Sequence, residues 1–206
     1  MKKYKKYILV VVLVMGMQGL SYFLIKNFIN DYHIINSFID IPLIKSFVYF
    51  YDLWYPFIVL NTFIIYKYDR KLFSMLIATM VISTVMAHIT FIIYPSMVLR
   101  PDIKVTGLTS WILDFTYRTD TPAINCLPSM HCIYCFVTSY YIIKCNNINI
   151  KKRLPIVIFS ALIVLSTLFI KQHILEDVIL AFIYVTIAVI VVHLLRNKIT
   201  KHIIEE

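Results

Sequence analysis

The stretch Tyr7-ILVVVLVMGMQGLSYFL-Ile25 runs for 19 residues without a charge. It follows a cluster of lysines, Lys2, Lys3, Lys5 and Lys6. A bilayer's hydrocarbon core takes about 20 apolar residues of helix to cross. The run is longer than the apolar segment of a secretory leader, and no small-x-small cleavage site follows it. It therefore predicts an uncleaved first membrane-spanning helix.

The rest of the chain repeats this pattern. Of its 206 residues, 60% are hydrophobic and only three are glycine. Mean hydropathy is +0.80. A soluble domain carries roughly 45–50% apolar residues even with glycine included. The composition thus excludes an ordinary soluble domain and a disordered chain. The apolar runs lack the strict alternation of a membrane β-barrel. The expectation is an all-α integral membrane protein with six transmembrane helices. These cover about 7–26, 47–66, 72–94, 128–143, 154–170 and 173–195. The connections are too short for a second core, so residues 1–206 read as a single six-span domain. Residues 27–46 and 95–127 are its longest polar stretches.

The formal net charge of +9 is distributed unevenly. With the N-terminus placed in the cytoplasm, 14 of the 20 Lys and Arg residues fall inside, including Lys67, Arg70, Lys71, Lys151, Lys152 and Arg153. Lys26, Lys45, Arg100, Lys104, Arg118 and Lys171 fall outside. That asymmetry obeys the positive-inside rule, with both termini cytoplasmic. It accounts for the basic surplus through topology, with no nucleic-acid partner. Four cysteines are too few for a disulfide scaffold, and Cys132 and Cys135 read as small packing residues. Tyr49, Tyr51, Tyr66, Tyr94 and Tyr141 lie near span ends, as an interfacial aromatic belt requires.

Three polar clusters fall on the outer side. His173 and Asp177 are four residues apart, so on a helix they share a face and can meet. A carboxylate beside an imidazole fixes its tautomer and stabilises its positive charge. Glu176 competes for that role, and a solvated helix start is the plain alternative. Pro128, Ser129 and His131 stand where a helix begins, and such an end favours anions. A capped helix start with a hydrogen-bonded histidine is the plainer account. Arg100, before Pro101, suits either an interfacial anchor or a bidentate phosphate ligand. Together these residues describe a phosphoryl-transfer site better than any does alone. His88 lies mid-span and reads as structural. His193 and His202 read as interfacial, and His33 lies in the first outer connection. Asp52, Asp114 and Asp120 fit helix caps or pocket walls equally well.

In this pattern the chain resembles the type 2 phosphatidic acid phosphatase superfamily. That family carries K-x6-R-P, then P-S-G-H, then S-R-x5-H-x3-D. Arg100-Pro101 matches the end of the first motif, and Pro128-Ser129-Met130-His131 matches the second with Met for Gly. Ser166, His173 and Asp177 match the third in order and spacing. Ile93 and Thr167 stand where the family has Lys and Arg, and Lys171 is a candidate replacement for one of those charges. The strings PSMH and KQH are similar to the branch that includes inositol phosphorylceramide synthase.

The resemblance implies a six-helix core acting on a phosphorylated lipid in the bilayer, at its outer face. It implies that His173 attacks phosphorus and forms a phosphohistidine, that Asp177 orients it, and that His131 protonates the leaving oxygen. Arg100, Ser129 and Lys171 would hold the phosphoryl oxygens. The family needs no metal or cofactor, and no His/Cys/Glu set here has metal-ligand spacing. Transfer of the phosphoryl group to a lipid or sugar hydroxyl in place of water is an alternative. A non-catalytic transporter or scaffold that retains the fold is another.

Overall fold

The computed structural model describes residues 5–28 and 31–204. Lys2 and Lys3 lie outside the described residues. The chain is mostly helical, in the order α1 (Lys5–Phe28), β1 (His33–Ile35), α2 (Val48–Asp52), α3 (Trp54–Tyr68), α4 (Arg70–Ile93), β2 (Ser96–Val98), α5 (Leu108–Thr119), α6 (Met130–Lys144), α7 (Ile150–Phe169), α8 (Leu175–Leu194) and α9 (Arg196–Ile204). A single 3-10 turn, Lys45–Phe47, leads into α2.

Among the described residues, five stretches are long and apolar enough to cross a membrane: Tyr7–Phe28, Lys45–Tyr68, Arg70–Ile93, Ile150–Phe169 and Leu175–Leu194. Their outer surfaces fit hydrocarbon. On α8, Ile179, Phe182, Ile183, Ile187 and Ile190 are all exposed. In water such a continuous apolar face would drive association. The chain is thus a multi-pass membrane protein.

The sixth expected span, 128–143, behaves differently. It corresponds to α6, which has only 15 residues. At 1.5 Å per residue that is about 22 Å, short of a hydrocarbon core of about 30 Å. It nevertheless joins the β1–β2 end, where the Leu127 N–H bonds Ser96 Oγ, to the opposite end, where Asn147 meets the Tyr68 carbonyl, packed on α3, α4, α7 and α8. Cys132, Ile133, Tyr134, Cys135, Val137, Tyr141 and Ile142 are all fully buried. A helix apolar on every side needs protein around it as much as lipid. Polar ties then fix its rotation. Tyr134 Oη meets Thr84 Oγ1 at 3.0 Å and Tyr141 Oη meets Thr79 Oγ1 at 2.8 Å, both to α4. Ser139 donates to Ser160 Oγ of α7 at 2.8 Å, and Ser160 donates to the Cys135 carbonyl at 3.1 Å. Hydroxyls between membrane helices are commonly used in this way.

The ends of the helices are set by local chemistry. Asp69 adopts extended dihedrals and accepts the Leu72 N–H at 2.9 Å, capping α4. Asn149 caps α7 through the Lys151 N–H. The short charged turn Lys67–Lys71 therefore reverses the chain sharply between α3 and α4. At the same end, Asn147 donates to the Tyr68 carbonyl at 2.9 Å.

Several features depart from the sequence-based expectation. The two long polar connections are not simple loops. β1 and β2 pair in parallel, with His33 opposite Ser96 and Ile35 opposite Val98. Two strands of three residues are too short to show a pattern in sequence. The second connection also contains α5, which exposes Leu108, Trp111 and Phe115 and buries Leu113 and Tyr117. Leu113 and Tyr117 form a small cluster with Val48 and Ile170. Tyr66 and Tyr141 are buried core residues rather than members of a belt, at 3% and 0% exposure. Tyr141 finds a hydroxyl partner inside the protein, so its phenol does not need the interface. All four cysteines are free and buried, as packing residues are.

Candidate active site

The three polar clusters converge at one end of the bundle, the end that carries the β1–β2 pair. The turn between α7 and α8 builds its centre. Helix α7 closes in a Schellman arrangement: the Lys171 N–H bonds the Leu168 carbonyl and the Gln172 N–H bonds the Thr167 carbonyl, both at 3.0 Å. Lys171 occupies the left-handed position, with φ of 55°. The Thr167 carbonyl also accepts the His173 N–H at 3.0 Å. Residue 167 thus holds the turn with its backbone. Tyr117 Oη donates to the Ile170 carbonyl at 2.5 Å, anchoring the turn to α5. Burial pushes the Tyr117 phenol up to about 12, so it remains a donor.

His173 follows this turn, and its side chain is 9% exposed. Its Nδ1 lies 2.9 Å from Asp177 Oδ2. The same oxygen accepts the Ile174 N–H at 3.1 Å. Asp177 is fully buried, and its Oδ1 has no partner among the described residues. Glu176 points elsewhere, taking the Ser37 hydroxyl and the Phe38 N–H at 3.0 Å each. His173 precedes α8 rather than lying on it as expected, and the capping turn at Ile174, whose N–H binds Asp177, delivers Asp177 and not Glu176 to the imidazole.

His131 stands on the first turn of α6. Its ring stacks on Tyr51 at 4.3 Å and contacts Trp54 at 4.4 Å. The His131 and His173 ring centroids are 6.1 Å apart. Both rings border the larger cavity described below. Ser129 is fully buried and caps α6, accepting the Cys132 N–H at 3.3 Å. Its own N–H bonds the Asp177 carbonyl at 3.3 Å. The start of α6, which carries His131, and the start of α8, which follows His173, are thereby tied backbone to backbone. Ser129 belongs to neither cavity described below.

Two cavities meet at His173. The larger, of about 390 Å³, is bordered by His131, Asp52, Asp120, Asn125, Gln172 and several tyrosines. The smaller, of about 220 Å³, is bordered by Lys171, Asp40, Ser37 and Asn36. Arg100 borders neither. Its guanidinium pairs with the Asp120 carboxylate. It also donates to the Tyr117 and Asp120 carbonyls at 3.0 and 3.2 Å. Tyr22 of α1 donates to the other Asp120 oxygen at 2.6 Å. Lys171 Nζ lies 2.6 Å from the exposed Asp40 carboxylate. Among the described residues, no Lys or Arg lines the larger cavity.

The candidates predicted from sequence are therefore distributed unequally. His173, Asp177 and His131 come together. Lys171 borders the smaller cavity together with His173, its Nζ held by Asp40. Ser129 and Arg100 stand outside both cavities, one as a cap and one in an internal ion pair. Asp52 and Asp120 border the larger cavity, whereas Asp114 pairs with Arg118 along α5 at 2.7 Å. His33 stacks on Tyr94, away from the site. Tyr51, Trp54, Asn125 and Gln172 escape sequence reasoning. Asn125 and Gln172 do adjoin the motifs, and Tyr51 and Trp54 are three residues apart. Cys126 also borders the cavity, but burial raises its thiol pKa and it donates to the Ala123 carbonyl. It is thus no thiolate nucleophile. Among the described residues, no three His, Cys, Asp or Glu side chains gather as a metal-ligand group.

This arrangement can support covalent phosphoryl chemistry. One imidazole is held through Nδ1, leaving Nε2 as its free nucleophilic atom, and a second imidazole faces it. Comparison with known proteins agrees on the class. The sequence model of the PAP2 superfamily matches residues 68–201, a stretch that holds all three clusters. Comparisons with curated proteins and with solved structures gave no significant match. With that match covering well over half of its length, the chain belongs to the PAP2 superfamily, whose members are in general phosphatases.

Proposed function

We propose that the protein is a membrane lipid phosphatase that works through a phosphohistidine on His173. The observation that carries this reading is the pairing of His173 Nδ1 with the fully buried Asp177, opposite His131. Nδ1 is occupied, so Nε2 carries the lone pair that attacks phosphorus. The N–P bond forms as the bond from phosphorus to the ester oxygen breaks. Asp177 balances the charge that develops on the ring. His131 donates its proton to the departing oxygen, which leaves as the lipid alcohol. His131 then takes a proton from water, the water oxygen attacks phosphorus, and the N–P bond breaks to release phosphate. Consumption of one water and one ester to give one alcohol and one phosphate balances the cycle.

Lys171, on the smaller cavity, is placed to meet phosphoryl oxygens once Asp40 yields it. Arg100 contributes through Asp120, and Ser129 by fixing the start of α6. The basic residues Lys67, Arg70, Lys71, Lys151, Lys152 and Arg153 gather at the bundle end opposite the site. That distribution supports cytoplasmic termini and a site on the extracytoplasmic face. A panel of short-chain lipid phosphates and diphosphates, presented in detergent micelles, tests the activity. Release of phosphate by the parent but not by His173→Ala is expected. Equal release by both would overturn the assignment.

A further inference from the structure

The long connection between α4 and α6 holds a helix whose outward face the catalytic reading leaves unused. On α5, Leu108, Trp111 and Phe115 stand at i, i+3 and i+7, on one face. They are 68%, 56% and 57% exposed, although Leu113 and Tyr117 of the same helix are buried. The Trp111 and Phe115 rings stack, with centroids 6.0 Å apart. Arg118, paired with Asp114 at 2.7 Å, sets a charged edge beside this face. An apolar stripe with Trp and Phe next to charge is the make-up of a helix that lies in a membrane interface.

Contacts at both ends of α5 fix its depth. At its C-terminal end Tyr22 of α1 donates to Asp120 at 2.6 Å, and Lys26 Nζ donates to the Thr121 carbonyl at 2.8 Å. Lys26 stands in the last turn of a spanning helix, where a lysine reaches the head-group level. At its N-terminal end Thr109 Oγ1 meets Tyr49 Oη at 2.8 Å, near the start of the spanning stretch Lys45–Tyr68. The two ends of α5 are thus tied to the site-side ends of two spanning stretches. A helix of 12 residues, about 18 Å long, held in this way runs along the membrane surface rather than across it. Near the same end of α1, Phe23 and Leu24 are exposed, so the apolar face of α5 continues a lipid-facing surface.

Helix α5 is also a wall of the larger cavity, through Phe115, Thr116 and Thr119. Tyr22 of α1 and Tyr55 of α3 border the same cavity. Tyr55 is 56% exposed, so it and Phe115 both line the cavity and stand open outside it. They form its rim, on elements whose outer surfaces fit lipid.

We propose that α5 lies in the head-group region of the leaflet on the site's side, with Leu108, Trp111 and Phe115 immersed in lipid, and that the Tyr55–Phe115 rim opens the larger cavity onto that leaflet. The partner is the bilayer's own lipid. The phosphatase reading bears only on what enters: the phosphate of a membrane lipid reaches the histidines through this rim while its chains stay in the leaflet.

The test reads tryptophan fluorescence of the full-length protein in phosphatidylcholine bilayers. The chain has two tryptophans, and Trp54 is 1% exposed, so the difference between wild type and Trp111→Phe reports Trp111. Combining Trp111→Phe with Phe115→Trp moves the reporter to the rim. An interfacial helix sits about 5–10 Å into the boundary between head groups and chains. Lipids brominated high on their chains should therefore quench each reporter by about half, and more than lipids brominated near the chain ends. Iodide in the water should quench each by less than about a fifth. Thermal melts of both variants report folding. Quenching of Trp111 by iodide and not by brominated lipid would place this face in water and overturn the proposal. Quenching by neither would place it under protein and overturn it equally. Rim emission that ignores brominated lipid would overturn the opening onto the leaflet. Failure of the phosphatase reading would appear separately, as absent turnover by wild type, with the quenching results unchanged.

Discussion

Replacing Asp177 with asparagine removes one charge and almost nothing else. Oδ2 alone accepts from both His173 Nδ1 and the Ile174 N–H, so a carboxamide oxygen in its place keeps both bonds. The new amide nitrogen would take the site of Oδ1, which has no partner among the described residues. What disappears is the attraction between the carboxylate and an imidazole that turns cationic as it attacks. Two unit charges about 4 Å apart at an effective dielectric of about 20 attract by about 4 kcal/mol. At 1.36 kcal/mol per decade, that is about a thousandfold in rate. Asp177 borders neither cavity, so the loss belongs in kcat, with KM changed by less than about threefold. Stability should fall by about 1–3 kcal/mol, since the new amide N–H group is buried without a partner among the described residues. The assay is phosphate release from a dioctanoyl lipid phosphate over a range of concentrations, with a thermal melt beside it. A folded Asp177→Asn protein whose kcat lies within tenfold of wild type would refute this account of the pair.

Other expectations follow from neighbouring contacts. His131→Gln should lower kcat by about 10²–10⁴ on a lipid phosphate, and by much less on a p-nitrophenyl ester, whose leaving group needs no proton. Equal losses on the two substrates would argue against general-acid action. Ser129→Ala should cost about 1 kcal/mol of stability as a lost cap, leaving kcat/KM within about threefold. A large kcat/KM loss without destabilisation would instead make Ser129 a substrate ligand. Lys171→Gly relieves a left-handed residue, worth about 1–2 kcal/mol, but gives up an ion pair worth about 0–1 kcal/mol and frees the unfolded chain. Its melting temperature should therefore barely move, while KM rises about tenfold if Lys171 holds phosphoryl oxygens.

The sequence carried some of this architecture and not the rest, for physical reasons. Long charge-free runs announce spanning helices because lipid imposes one rule on every exposed side chain. Five such stretches are present. Helix α6 is surrounded with protein, so its 15 residues join the two ends of the bundle without the length that lipid contact demands. His173 and Asp177 were legible because their contact is local, four residues apart across the start of α8. Arg100 was legible as a candidate but not in its setting, since its partner Asp120 is 20 residues away and reaches it through tertiary structure. Ser129 shows the converse: a hydroxyl at a helix start reads equally well as cap or ligand, and the geometry places it as a cap. Asn125 and Gln172 carry no signal of their own, because only the fold brings them to the cavity wall.

The central claim is that phosphorus becomes bonded to His173. Rapid mixing of the purified protein with a [32P]-labelled lipid phosphate, followed by quenching in base and peptide mapping, measures that bond directly. The account predicts transient label that is stable to base and labile to acid, located on the peptide holding His173 and missing from His173→Ala. Wild-type turnover of the same substrate with no label on that peptide at any time point would contradict it.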